Sequence, residues 1–293
     1  MELFYGSATA LVTPFEKGRV DLRALEALIN WQISEGTDAL VILGTTGEPS
    51  TLSREERRDV ISCAADAIAG RCPMVVGAGA NCTKTAVAYA SEAEALGADA
   101  LLVVTPYYNK ANDEGLLRHF TAIADAADLP VILYNVPGRT GLNLRPELAA
   151  KLAAHPRIRG VKEASGDITQ LSRLAELTQG GMQLYAGNDG EVLPMLALGG
   201  SGVISVAANV IPGTMHALTQ AWLDVDAVQA RRLQLQILPL VRALFSDVSP
   251  IPVKAALAML GRIRNELRLP LFPLDEQRER ALRKVLEEYG LLC

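Results

Sequence analysis

Residues Arg157–Asp167 read RIRGVKEASGD, and Lys162 stands in the middle of what is otherwise a buried strand. Ile158, Val161 and Ala164 give the run its apolar character. A lysine carries a flexible stem and a strongly hydrated charge, so a core strand should exclude it. Working outward, seven more runs of the same kind appear. They are Ala8–Phe15, Asp38–Gly44, Pro73–Gly79, Ala98–Pro106, Leu129–Pro137, Met182–Asn188 and Gly202–Val210. All are rich in Val, Leu and Ile and nearly continuous rather than alternating, as expected of parallel strands covered on the outside.

Helical patterns separate these runs. In Asp21–Glu35, Leu22, Leu25, Leu28, Ile29 and Ile33 recur at helical spacing, with Asp21 placed to cap the start and Gly36 to end it. Ser53 and Glu56 have capping-box spacing. Strand and helix alternating eight times predict an α/β fold, a (β/α)8 TIM barrel, over residues 1–224. An open doubly wound sheet is the alternative, but no G-x-G-x-x-G fingerprint follows the first strand. Beyond it, helix follows helix near Val225–Phe245, Ile251–Arg264 and Asp275–Tyr289. Residues 225–293 therefore read as a C-terminal helical appendage packed on the barrel.

Composition narrows the function. The chain has 293 residues, 49% hydrophobic and 21% charged, with a net charge of −5, an ordinary globular profile. No basic cluster of the kind that tracks phosphates is present, so nucleic acid is not an expected partner. No apolar run approaches the ~18 residues of a bilayer span. The first residues, MELFYGSATALVTPFEKG, lack the pattern of a signal peptide. Cys63, Cys72, Cys82 and Cys293 are scattered, which suits reduced thiols in a cytoplasm.

In such a barrel the active site lies at the carboxyl ends of the strands. No histidine falls there: His119, His155 and His216 lie elsewhere and far apart. A histidine metal site or a Ser-His-Asp triad thus has little support, and Glu48 and Asp189 are too few for a hard-metal site. Lys162 remains. It can be a core lysine paired with an acid, a snorkelling lysine at the rim, or a nucleophile. Burial favours the neutral amine, which attacks carbonyls and forms a Schiff base. Tyr134, ending the adjacent strand, can move the protons that imine formation needs, or be a rim aromatic. The turn Gly44–Glu48, GTTGE, offers the hydroxyls of Thr45 and Thr46 and several amides to a carboxylate, or is an ordinary strand-to-helix turn. Arg139 can grip a second carboxylate, or make a surface salt bridge.

With those residues in view, the sequence resembles the dihydrodipicolinate synthase family of pyruvate-dependent aldolases, relatives of N-acetylneuraminate lyase. The resemblance runs through TALVTPF, GTTGEPSTLS, GAGAN, VTPYYNK, LYNVPGRTG, GVKEASGD, GVISVAAN, PIPVKAAL and LRLPLFPL, and so covers the whole chain. TPYYN and NVPGRTG point to the synthase branch rather than the lyase. The resemblance implies that Lys162 forms an imine with pyruvate, and that Thr45 and Thr46 hold its carboxylate. It implies that Thr45, Tyr134 and Tyr108 relay protons, Tyr108 from a neighbouring subunit. It further implies that Arg139 binds the carboxylate of aspartate semialdehyde and that Gly187 and Ile204 line the pyruvate pocket. No cofactor or metal is implied, and a homotetramer, a dimer of dimers, is. A sugar-acid or hydroxy-oxoglutarate aldolase, or a non-catalytic relative, are the other readings. Lysine-sensitive members place histidines where Arg54 and Arg57 stand and a glutamate where Thr85 stands, while Asn81 and Tyr107 are kept. Inhibition by lysine is accordingly expected to be weak or absent.

Overall fold

The computed structural model describes residues 3–292, so Met1, Glu2 and Cys293 lie outside it. Eight parallel strands close into one barrel: β1 (Gly6–Ala10), β2 (Ala39–Ile42), β3 (Met74–Gly77), β4 (Ala100–Val104), β5 (Val131–Asn135), β6 (Ile158–Glu163), β7 (Gln183–Ala186) and β8 (Gly202–Ser205). Each pairs with the next in sequence, and β8 closes on β1. This is the (β/α)8 barrel read from the alternation. The two expected helix starts form as read. The Asp21 carboxylate accepts from Ala24 N, and Ser53 and Glu56 close a reciprocal capping box.

Two strands stop well short of their apolar runs. Gly202–Val210 is strand only to Ser205 and then tightens into a 3-10 turn at Ala207–Asn209. The apolar run Ala8–Phe15 is strand only to Ala10, and the strand begins earlier, at Gly6. Pro14 lacks the N–H that a ladder needs. The chain turns instead into a small antiparallel hairpin pairing Phe15–Glu16 with Arg19–Val20.

Side chains sort into two layers. Ala8, Val41, Leu102, Ile132, Tyr134, Tyr185 and Ile204 fill the barrel interior. Leu40, Ile42, Val103, Leu133, Ile158 and Val161 point outward into the core shared with the helices. The β5–β6 ladder shifts register near its start: Val131 pairs with Ile158 but Ile132 with Gly160. The extra residue flips the phase of everything after it. Ile158 and Val161 both face out although three positions separate them, and Lys162 comes to face inward opposite Tyr134.

The C-terminal helices are Ala227–Leu244, Ile251–Met259 and Glu276–Glu288. The middle one is buried from Ile251 to Leu257, including Lys254. It stops at Met259, short of the Arg264 that its pattern allows, because Gly261 takes a left-handed φ of 69°.

Candidate active site

Lys162 is the centre. It is 5% exposed, and its Nζ lies 4.3 Å from the centroid of the Tyr134 ring. Burial lowers the amine from its ordinary value of 10.5 to about 8. Asp189 opposes that shift, and Arg139 adds to it. The snorkelling alternative fails on this burial. Burial also raises the Tyr134 hydroxyl, against the nearby Arg139 charge and a hydrogen bond with the Thr45 side chain. Lys162, Tyr134 and Thr45 are therefore one cluster.

The cluster is held from outside the barrel. Asn135 and Glu163 follow Tyr134 and Lys162 and pair in the same ladder. The Asn135 amide donates to both Glu163 carboxylate oxygens, at 3.2 and 3.0 Å. Glu163 also accepts from Ser165 N at 2.7 Å. These outward contacts pin the two strand ends whose inward side chains meet.

Gly187 sits against Lys162. A Cβ there would lie 3.2 Å from Lys162 Cε and 2.6 Å from Ala164 Cβ, so only glycine leaves the lysine its room. Ile204 is fully buried in the interior layer. Thr46 is buried on the short turn Thr45–Gly47. Thr45 and Tyr134 share a small cavity of about 40 Å3. Thr45 and Arg139 line a larger one of about 430 Å3. The Arg139 Nη2 donates to Ser249 O at 3.0 Å, not to a carboxylate, so its side chain makes no salt bridge among the described residues. Tyr108 is not brought into the cluster of its own chain: it is 88% exposed and has a left-handed φ of 76°.

Sequence reasoning missed two groups. Asp189, weighed only as a metal ligand, is fully buried and accepts from Val206 N and Ala207 N at 3.2 and 2.9 Å. Its Oδ1 has no partner; burial pushes its carboxyl up, and its ionised form supports the charge of Lys162. Glu48 is engaged by Lys254, whose Nζ donates to Oε1 at 2.6 Å. No group of three or more His, Cys, Asp or Glu among the described residues could hold a metal. The signal for Lys254 was legible: a lone charge inside the apolar helix IPVKAALAM.

A closed parallel barrel with its ionisable groups gathered at the carboxyl ends of the strands is the architecture of a (β/α)8 enzyme. A model of the dihydrodipicolinate synthetase family matches residues 3–289. The 4-hydroxy-tetrahydrodipicolinate synthase of Thermoanaerobacter sp. (strain X514) is 47% identical over 293 residues, covering 100% of this chain and 99% of the relative. That of Thermodesulfovibrio yellowstonii is 48% identical over 290 residues, covering 99% and 100%. The crystal structure of dihydrodipicolinate synthase from Thermotoga maritima superposes with a TM-score of 0.97 at 44% identity, covering 99% of this chain and 100% of that one. The chain belongs to the dihydrodipicolinate synthetase family.

Proposed function

We infer that this protein condenses pyruvate with L-aspartate 4-semialdehyde to 4-hydroxy-tetrahydrodipicolinate, a lyase step of lysine and diaminopimelate biosynthesis. The observation that carries the reading is the inward Lys162 against Tyr134, in a chain of this family. The neutral Lys162 amine attacks the pyruvate keto carbon, and water leaves as the imine forms. Tyr134 and Thr45 move the protons to and from the departing oxygen. Thr45 and Thr46 hold the pyruvate carboxylate. The imine draws electrons from the methyl group, which loses a proton to give an enamine. The enamine carbon bonds to the aldehyde carbon of the semialdehyde, whose carboxylate Arg139 grips. The substrate's own amine then displaces Lys162 and closes the ring, returning the free lysine. The imine is itself the electron sink, so the scheme calls on no cofactor.

Two finer points belong to the same reading. The enzyme acts as a homotetramer in which Tyr108 reaches the partner's site, and it works in the cytoplasm. The first is supported by the exposure of Tyr108, which has no apolar home on its own barrel. The second is supported by the scattered cysteines; no described helix is long and apolar enough to cross a membrane.

A coupled assay supplying pyruvate and aspartate semialdehyde, with the next reductase reporting product, tests the function. Turnover is expected with this pair. Turnover with pyruvate and a sugar aldehyde, but none with the semialdehyde, would overturn it.

A further inference from the structure

The turn that presents Thr45 and Thr46 is bracketed by backbone that a side chain rarely adopts. Leu43 has a φ of 57° and Glu48 a φ of 54°, both left-handed and neither glycine. Such conformations are costly and persist where the surroundings over-determine them. At Glu48 the determinant is the C-terminal region. Lys254 Nζ donates to Oε1 at 2.6 Å, and Arg268 N to Oε2 at 3.3 Å. The Lys254 and Glu48 side chains are 0% and 1% exposed. Lys254 Nζ also lies 4.1 Å from the Phe15 ring centroid, a face that attracts a cation. Within the turn, Glu48 N returns a bond to Thr45 O at 3.2 Å, so its side-chain anchor acts on the threonine directly. A buried ion pair is a poor way to gain stability, since desolvation offsets the attraction. It is a good way to select one conformation.

We propose that Lys254 is a positioning residue for pyruvate binding: through Glu48 it holds the Thr45–Thr46 turn in the shape that receives the substrate carboxylate. The helix Ile251–Met259 thereby becomes part of the active site without touching substrate. The Ser249 carbonyl just before that helix holds Arg139, so one segment of the appendage reaches both proposed carboxylate grips. This proposal rests on the reading of that turn as the pyruvate grip.

Removing one partner would strand a buried charge, so the test removes both. Glu48→Gln with Lys254→Met keeps size while discharging the pair. The readouts are the half-saturating pyruvate concentration in borohydride trapping, the half-saturating concentrations of both substrates in turnover, and the melting temperature. Wild type runs alongside. The expected result is a folded double variant whose half-saturating pyruvate concentration rises about tenfold or more, the scale of a small misplacement, while that for the semialdehyde stays put. Glu48→Asp keeps the charge and shortens the arm by one methylene, and it should move pyruvate saturation in the same direction; it decides the matter if the double variant does not fold. A folded variant with unchanged pyruvate saturation, or with both substrates shifted equally, would overturn the proposal and leave the pair a fold-stabilising one. If wild type itself traps no pyruvate, the functional reading fails first and the positioning role falls with it.

Discussion

Tyr134 and Lys162 are direct partners in the β5–β6 ladder, and both face the barrel interior with Nζ 4.3 Å from the ring centroid. Their neighbours Asn135 and Glu163 are also ladder partners, bonded on the outside. One ladder therefore presents a reactive pair inward and a structural pair outward. The geometry of the first is fixed by the second.

The pH profile of imine formation should follow the amine. With Lys162 lowered to about 8, roughly a tenth is neutral at pH 7. Trapping of a pyruvate adduct, measured by quench at constant borohydride, should rise about tenfold per unit below that value and level off above it. A profile still climbing at pH 10 would place the amine at its ordinary value. The shift also ties stability to pH. Between about 8 and 10.5 the unfolded chain binds the proton that the native state has released, so this lysine's contribution grows as pH rises through that window.

Arg139→Ala should separate the two half-reactions. Pyruvate trapping is expected to survive, while kcat/KM for the semialdehyde falls by about 2 kcal/mol or roughly thirtyfold. That is the low end for a lost carboxylate contact, because the guanidinium is exposed in the single chain. An equal loss in trapping would make Arg139 a structural residue, tied to Ser249.

L-Lysine should inhibit weakly or not at all. Arg57, Asn81, Thr85 and Tyr107 line one cavity, and it has no carboxylate in its lining. Glu48 is engaged by Lys254, and Glu56 by Arg268 and Ser53 N, so neither is free to substitute; Glu55, the third candidate, is exposed and does not line this cavity. A ligand with two ammonium groups meets the buried Arg57 cation instead. A missing partner for a buried charge costs about 3–5 kcal/mol, a hundredfold or more in affinity. Half-inhibition below roughly 1 mM, a binding free energy near −4 kcal/mol, would contradict this.

Much of this was legible from the chain alone. The eight strands, their order and the placement of Lys162, Tyr134, Thr45, Thr46 and Arg139 follow from apolar runs and what ends them. What was not legible is the phase of β6. Its charges fall on both phases of the alternation, Arg159 and Glu163 on one and Lys162 on the other, so no single inward face can be read, and the register shift beside Val131 that turns Lys162 inward leaves no sequence mark. The Glu48–Lys254 pair was hidden for another reason: its members lie 206 positions apart, and periodicity reports only on neighbours.

Tyr108→Phe should lower kcat with little change in pyruvate half-saturation if the hydroxyl completes a relay across a subunit boundary. Analytical ultracentrifugation at assay concentration should find a tetramer. A fully active monomer would remove any role for the exposed Tyr108.

The central claim is the covalent bond at Lys162, and intact-mass measurement after incubation with pyruvate and borohydride tests it most directly. One reduced pyruvate adduct per chain, mapped to the peptide carrying Lys162 and absent from both Lys162→Ala and Lys162→Arg, is the predicted result. Arginine fails because its guanidinium stays charged. An adduct of the same mass persisting in Lys162→Ala would contradict the account.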